Sequence, residues 1–130
     1  GAFRGEVETR WLKHEGKDRE MQLLKDFGFK DKKQGNMMWV APRGSIIDGA
    51  SIPPFLWSFV GTPFVGDYRR ATVLHDIACK EQSMSHKLVH RMFFNAMRCD
   101  GVGHLRAWVM YKAVQVGGPK WGTDAPRPHD

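Results

Sequence analysis

The sequence contains only two cysteines, Cys79 and Cys99, among 130 residues. That number is too small for the disulfide frameworks that hold many small secreted domains together. The two cysteines are also predicted to lie at opposite ends of a helical hairpin, which argues against a disulfide between them. A hydrophobic core has to hold the chain together, and a hydrophobic fraction of 42% is ordinary for a globular protein.

The sequence also lacks any apolar run of the roughly 18–20 residues that span a bilayer. The first residues, Gly1-Ala2-Phe3-Arg4, do not form a signal peptide, and the missing Met indicates trimming or a cleaved precursor. Lys and Arg number 20 against 14 Asp and Glu, but they form no dense basic stripe with interleaved aromatic residues. A solvated basic surface therefore explains the net charge of +6 better than a nucleic-acid-binding module does.

Two kinds of hydrophobic periodicity divide the chain near Ser51. Before it, alternating apolar and polar residues, as over residues 7–11, predict strands joined by polar turns. After it, Ser51 is placed to cap a short helix, and apolar residues at helical spacing predict three main helices, over residues 67–80, 85–99 and 104–116. We therefore expect an α+β fold with a small N-terminal antiparallel sheet packed on three main helices, two of which form a central hairpin.

The predicted single domain covers residues 1–116, and residues 117–130 form a tail rich in proline and glycine. Such a tail cannot form a core of its own, so order within it requires contacts. Trp121 is the predicted anchor of the tail, because tryptophan is enriched at interface hot spots. We expect the other tryptophans to lie in the core, namely Trp11, Trp39, Trp57 and Trp108.

A short link joins the first two main helices, so they are predicted to form an antiparallel hairpin. Opposite residues in that hairpin have numbers that sum to about 165, which places His75 opposite His90 and Cys79 opposite His86. Three imidazoles and one thiol are the ligand types of a tetrahedral zinc site. The alternative is that the pairs spaced by four residues, His75 with Cys79 and His86 with His90, lie on wet helix faces by chance.

His75 is also a candidate general base, since a neutral imidazole titrates near neutral pH and can accept a proton from water or a hydroxyl group. Asp76 follows it directly, and Asp48 lies in the preceding loop, so their carboxylates could together hold a hard cation such as calcium. The alternatives are structural. His75 and Asp76 would then form a hydrogen-bonded pair, and Asp48 would clasp the turn at residues 49–51.

A set of motifs in fixed order extends over roughly residues 40–118. The segment Asp48-Gly49-Ala50-Ser51-Ile52-Pro53, followed by a helix that carries His75-Asp76, resembles a family of uncharacterised domains found in tailed phages and prophages. The remaining motifs of the resemblance are Leu56-Trp57, Gly61-Thr62-Pro63, Phe93, Met97 and Gly101-Val102.

The resemblance implies a phage or phage-derived origin, a location in the virion or in the host cytoplasm during assembly, and no established activity. We therefore expect a non-catalytic component of a tail, baseplate or neck, with other particle proteins as partners and the segment around Trp121 as the docking point.

The same region is similar, more weakly, to bacterial secreted phospholipases, in which a DGxS segment precedes an HD helix. That likeness implies that Asp48 and Asp76 bind calcium and that His75 is the base of a small hydrolase acting on a lipid or cell-envelope substrate. His90, three residues before Phe93, stands where those enzymes have the aspartate that orients the histidine. The candidate catalytic residues are thus His75, Asp76 and His90, and the candidate ligands of zinc or calcium are Asp48, His75, Asp76, Cys79, His86 and His90.

Overall fold

The strands of the N-terminal half form two small sheets. The computed structural model describes residues 1–14, 17–49, 51–56 and 66–121. Its strands pair antiparallel in the orders β1-β4-β5 and β2-β3-β6. The α+β class is confirmed, but two three-stranded sheets replace the single sheet that we predicted. The strands are β1 (Ala2–Arg4), β2 (Thr9–His14), β3 (Lys17–Leu23), β4 (Phe27–Asp31), β5 (Met37–Ala41) and β6 (Ile46–Ile47).

Apolar pairs across the strands set the register of each sheet. In the first sheet, Phe3 of β1 pairs with Phe29 of β4, and their ring centroids lie 5.0 Å apart. In the second sheet, Met21 of β3 pairs with Ile47 of β6, and both side chains are buried. Because β6 is only two residues long and leads directly into Asp48, this pairing fixes where the following loop begins.

Three helices follow, α1 (Arg69–Glu81), α2 (His86–Cys99) and α3 (His104–Gly117), and their bounds differ from the predicted ones by at most two residues. Helix α1 begins later than predicted because residues 66–68 form a 3₁₀ turn. Ser85 caps α2, since its hydroxyl oxygen accepts the backbone N–H of Leu88 at 3.3 Å. The short helix predicted after Ser51 is a single 3₁₀ turn over Pro54–Leu56.

Helix α1 is the central helix of the domain. Every residue from Ala71 to Cys79 is buried, because α2 packs against one side of the helix and strands β5 and β6 pack against another. A helix buried on all sides usually consists of apolar residues. Thr72, His75 and Asp76 are the polar exceptions within this stretch, and buried ionisable groups such as His75 and Asp76 need internal hydrogen-bond partners.

The predicted separation of the cysteines is confirmed, since Cys79 is buried, Cys99 is exposed and both are free thiols. Among the tryptophans, Trp39 is buried as predicted, whereas Trp11 and Trp108 are exposed and the prediction for them is wrong. Trp108 lies on the outer side of α3, which nothing else in the described chain covers fully. The predicted features at Ala50, at Trp57, at Gly61-Thr62-Pro63 and at residues 122–130 lie outside the described residues.

No helix in the described part of the chain combines the length and apolarity needed to cross a bilayer.

Candidate functional site

Two histidines from the helical hairpin meet inside the core. His75 Nε2 on α1 lies 2.8 Å from His90 Nδ1 on α2, in agreement with the predicted register of the hairpin. The ring of Phe93 packs against His75 with 4.6 Å between the centroids. His75 has 0% of its surface exposed and His90 has 1%, so water does not replace hydrogen bonds inside the chain at these rings.

The outer nitrogens of the two rings also have partners. His90 Nε2 lies 2.9 Å from the carbonyl oxygen of Pro119, and His75 Nδ1 lies 3.0 Å from the hydroxyl of Ser51. A carbonyl oxygen only accepts, so a neutral His90 donates from Nε2 and accepts at Nδ1 from His75 Nε2–H. His75 Nδ1 then accepts the Ser51 hydroxyl proton. A single chain of donors therefore runs from Ser51 through both histidines to Pro119.

The surroundings keep both imidazoles neutral at neutral pH. Burial lowers the pKa of His75 well below its ordinary value, and the neighbouring His90 lowers it further. Burial also lowers the pKa of His90, against the opposing effect of the Pro119 carbonyl, and His86 and Lys120 add to the lowering. Desolvation disfavours the charged imidazolium in both cases.

Asp76 ties the loop after β6 to helix α1. Its Oδ2 accepts the backbone N–H of Asp48, and its Oδ1 accepts that of Ser51, each at 3.2 Å. Burial raises the pKa of Asp76, which the Lys80 ammonium counteracts and the Asp48 carboxylate reinforces. His75 and Asp76 therefore contact the same loop, His75 through the Ser51 hydroxyl and Asp76 through backbone N–H groups, and they do not form the hydrogen-bonded pair that we considered from sequence.

Lys80 lies between the two carboxylates that the phospholipase likeness assigns to calcium. Its Nζ lies 3.3 Å from Asp76 Oδ2 and 3.4 Å from Asp48 Oδ1, and it donates to the carbonyl oxygen of Ile46 at 2.9 Å. The lysine thus supplies the positive charge that a bound cation would otherwise supply. These contacts favour the structural interpretation, in which Asp48 and Asp76 clasp the loop to the helix.

Three of the four predicted zinc ligands converge. Cys79 Sγ lies 3.6 Å from His75 Nε2, and the candidate ligand atoms of His75, Cys79 and His90 all lie within 4.8 Å of one another. Burial, followed by the negative charge of Asp76, raises the pKa of the Cys79 thiol, so the thiol is protonated here. His86 lies outside this cluster, and its Nδ1–H donates to the carbonyl oxygen of Trp121 at 2.7 Å.

The first residues of the predicted tail pack on the domain itself. Trp121 donates from Nε1 to the carbonyl oxygen of Met84 at 2.8 Å, and its ring meets the edge of His86 with 5.7 Å between centroids. The contacts that the structure gives to Trp121 are thus within the chain. Its predicted role as an anchor for another protein stays a prediction.

Sequence reasoning missed three participants of this site. Lys80 had a signal, since it stands four residues after Asp76 on the same helix. Ser51 was predicted as a helix cap and as part of the turn at residues 49–51, but its hydroxyl was not assigned as a partner of His75. The Pro119 carbonyl had no signal, because its contact with His90 depends on how the chain returns after α3.

Ser51, His75 and His90 stand in the order of a nucleophile, a base and a group that orients the base. Their burial limits nucleophilic catalysis, because a substrate has to reach the serine oxygen. Ser51 is only 3% exposed. A cavity of about 250 Å³ lies on the outer side of His90 and is lined by His86, Lys87, His90, Gln115 and Lys120.

The comparisons with known proteins give a family but no activity. The chain is 42% identical over 100 residues to the uncharacterized protein y4jT of Sinorhizobium fredii, and 38% identical over 110 residues to the uncharacterized protein y4iH of the same organism. These stretches cover 77% and 84% of this chain but only 29% and 45% of the two relatives, so the chain spans less than half the length of either. No solved structure matches the chain.

The family model described as "protein of unknown function (DUF1353)" matches residues 21–114. This range contains the loop of Asp48 and Ser51, the whole of α1 and α2, and most of α3. It therefore includes His75, Cys79 and His90, whereas the Pro119 carbonyl lies beyond it. The chain belongs to the DUF1353 family of proteins of unknown function.

Proposed function

We propose that this chain is a non-catalytic component of a tailed phage or phage-like particle, associated with its tail, baseplate or neck. The burial of His75, with hydrogen bonds at both ring nitrogens, carries the non-catalytic part. A general base needs a nitrogen within reach of the substrate proton. The particle part rests on the resemblance of the segment 48–53 and the helix with His75-Asp76 to domains of tailed phages and prophages.

The outer face of α3 supports a role in assembly. Leu105 and Val116 are 75% and 79% exposed, and Trp108 and Val109 are each 40% exposed. Helical geometry places these four residues, here called the α3 stripe, on one face, opposite the buried face of the same helix. A helix face with several exposed apolar residues marks an interaction site more often than single exposed residues do.

The chemistry of the α3 stripe indicates one kind of partner. Helix α3 contains no Asp or Glu, while Arg106 and Lys112 lie along it and the Lys112 ammonium sits 4.9 Å from the centre of the Trp108 ring. An apolar surface that also carries positive charge fits a protein surface that combines apolar residues with carboxylates. We therefore assign the stripe to contact with another protein of the particle.

The double substitution Leu105→Glu and Val116→Glu tests this proposal in the phage, prophage or host that carries the gene. Both side chains are largely exposed, so we expect the variant to keep its melting temperature and to be absent from purified particles, as measured by quantitative mass spectrometry. The matched control is Leu24→Glu, at an exposed leucine outside α3, which should be incorporated normally. Absence of the wild-type chain from particles, or normal incorporation of the double variant, would refute the proposal.

A second candidate function is a small hydrolase acting on a lipid or cell-envelope substrate. The observation in its favour is the distance of 3.0 Å between Ser51 Oγ and His75 Nδ1, with His90 behind the ring. A fluorophosphonate probe, which labels activated serines, should then modify the wild-type chain and fail to modify Ser51→Ala. An unlabelled, folded wild-type chain would eliminate Ser51 as a nucleophile and leave the particle component as the proposed function.

A further inference from the structure

We propose that His75, Cys79 and His90 form a buried site for one zinc ion, whether or not the chain assembles into a particle. The two histidines come from facing helices, and Cys79 stands one helical turn after His75 on α1. Their side chains are all buried, and their ligand atoms lie within 4.8 Å of one another. Two imidazoles and a thiolate are ligand types that zinc favours.

The distances fit a single ion. In a tetrahedral site, with zinc–nitrogen bonds of about 2.0–2.1 Å and a zinc–sulfur bond of about 2.3 Å, neighbouring ligand atoms lie roughly 3.3–3.6 Å apart. Cys79 Sγ lies 3.6 Å from His75 Nε2, within that range, and 3.8 Å from His75 Nδ1, so the His75 ring has to turn for Nε2 and Sγ to bind the same ion. His75 Nε2 and His90 Nδ1 are 2.8 Å apart, so zinc binding has to break this hydrogen bond and separate the two nitrogens by about 0.5 Å.

The outer contacts of the two rings are those of metal-binding histidines. A histidine that binds a metal through one nitrogen almost always donates the other N–H to an oxygen, which fixes its orientation. His90 Nε2 has the Pro119 carbonyl at 2.9 Å, and His75 Nδ1 has the Ser51 hydroxyl at 3.0 Å. The inner nitrogens, His75 Nε2 and His90 Nδ1, face each other in the core, and the Cys79 thiol lies within 4.8 Å of the cluster.

The donor set selects zinc over calcium. Calcium prefers oxygen ligands, and Asp48 and Asp76, which were predicted to supply them, are engaged by Lys80. Two nitrogens and one sulfur leave the fourth position of a tetrahedral zinc ion for a water molecule. The cavity of about 250 Å³ borders the cluster at His90, on the outer side of that ring.

The proton balance of binding is simple. The Cys79 thiol releases its proton to solvent and binds as a thiolate, because the thiolate is the ligand form of cysteine. His75 moves its single proton from Nε2 to Nδ1, where it donates to Ser51 Oγ, and His90 keeps its proton on Nε2. No group is oxidised or reduced, and one proton leaves for each zinc ion bound.

Titration of the metal-free chain with Zn²⁺ and with Co²⁺ tests the site. We expect one zinc ion per chain after dialysis, a rise in the melting temperature, and a thiolate-to-cobalt charge-transfer band in the near ultraviolet. Cys79→Ser should abolish that band and weaken zinc binding by more than about 100-fold, since even changes in outer contacts weaken metal binding about 10–100-fold. Circular dichroism establishes that the variant is folded.

Two matched controls separate this site from adventitious binding. Cys99→Ser removes the other thiol, which is exposed, and His86→Gln removes the imidazole that lies next to the cluster and outside it. Both should bind zinc as the wild type does. X-ray absorption of the zinc-loaded wild type should give one sulfur and two imidazole ligands, a readout that does not depend on how any variant folds.

A wild-type chain that binds neither ion would overturn the proposal, as would a zinc ion without sulfur in its coordination shell. Zinc binding that survives Cys79→Ser but is lost in His86→Gln would place the ion at the surface and would also overturn it. None of these outcomes depends on incorporation into particles, so failure of the zinc site and failure of the proposed function are distinguishable.

Discussion

At the scale of single residues, Ser51, His75, His90 and the Pro119 carbonyl form a hydrogen-bonded chain in which each donor meets one acceptor. The Pro119 carbonyl fixes the proton of His90, which in turn fixes the proton of His75 and the direction of the Ser51 hydroxyl. Reversing either ring would place two donors or two acceptors face to face. A buried polar group left without a partner costs about 1–3 kcal/mol, so this chain stabilises one arrangement of the loop, the hairpin and the tail.

The two buried histidines of this hydrogen-bonded chain predict how the stability of the protein depends on pH. The pKa values of His75 and His90 are both lowered by folding, so the unfolded chain binds protons that the folded chain does not. The free energy of unfolding should therefore be highest above about pH 7 and decrease as the pH falls below about 6.5, the ordinary pKa of histidine. With two such groups, the slope reaches at most about 2.7 kcal/mol per pH unit.

Urea denaturation between about pH 5.5 and 7.5 measures this slope. His90→Gln should roughly halve it, because glutamine can still donate to Pro119 and accept from His75 but does not titrate. His104→Gln, at an exposed ring, should leave it unchanged. The raised pKa of Asp76 acts in the opposite sense, since protonation then favours the folded chain, but it is common to all three proteins. Equal slopes in the wild type and His90→Gln would contradict the prediction.

Spacing and capping patterns in the sequence predicted some of these contacts, whereas contacts that depend on the path of the folded chain could not be predicted from them. The approach of His75 to His90 followed from the length of one link, and the Ser85 cap followed from one hydroxyl before an apolar run. Pro119 meets His90 across 29 residues of chain, so the path of α3 decides that contact. Lys80 contacts Asp48 only because β6 pairs with β3 and brings the loop to the helix.

At the scale of elements, helix α3 shows why periodicity does not reveal which face is covered. Ala107, Met110 and Val114 form its buried face, while the α3 stripe lies on the other side. With apolar residues on both faces, the sequence predicted the helix correctly and the position of Trp108 wrongly. The second sheet was not predicted for a related reason, because two residues in β6 are too few to show a period.

The segment after α3 should contribute to stability through Trp121, whose side chain packs against the core and donates to Met84. We expect Trp121→Ala to lower the free energy of unfolding by about 1–3 kcal/mol, less than the roughly 3–5 kcal/mol of a fully buried aromatic residue. Trp11→Ala removes an equally large side chain that is 58% exposed, and it should change stability by less than about 0.5 kcal/mol. Equal effects of the two substitutions in chemical denaturation would mean that the packing of Trp121 does not stabilise the domain.

At the scale of the whole molecule, one buried aspartate ties each sheet to the helices. Asp31, at the end of β4, accepts two contacts from Asn95 Nδ2 of α2, at 2.9 and 3.1 Å. Asp76 of α1 accepts the backbone N–H groups of Asp48 and Ser51 just after β6. The first sheet is thus joined to α2 and the second to α1, while α1 and α2 pack directly on each other.

Because of these two links, we expect the domain to unfold in one cooperative transition. Substitutions at the two aspartates should then lower the free energy of unfolding by amounts that add. Asp31→Asn and Asp76→Asn each replace an acceptor by a donor in a buried site, so each should lower the free energy of unfolding by about 1–3 kcal/mol. The hydrogen bonds described for the two aspartates share no partner, so the double variant should lose the sum within about 0.5 kcal/mol. Asp67→Asn, at an exposed position, should have little effect.

Urea denaturation followed by both circular dichroism and tryptophan fluorescence gives the measurement. Two separate transitions, or a coupling energy above about 1 kcal/mol, would show that the links are not independent supports of one folding unit.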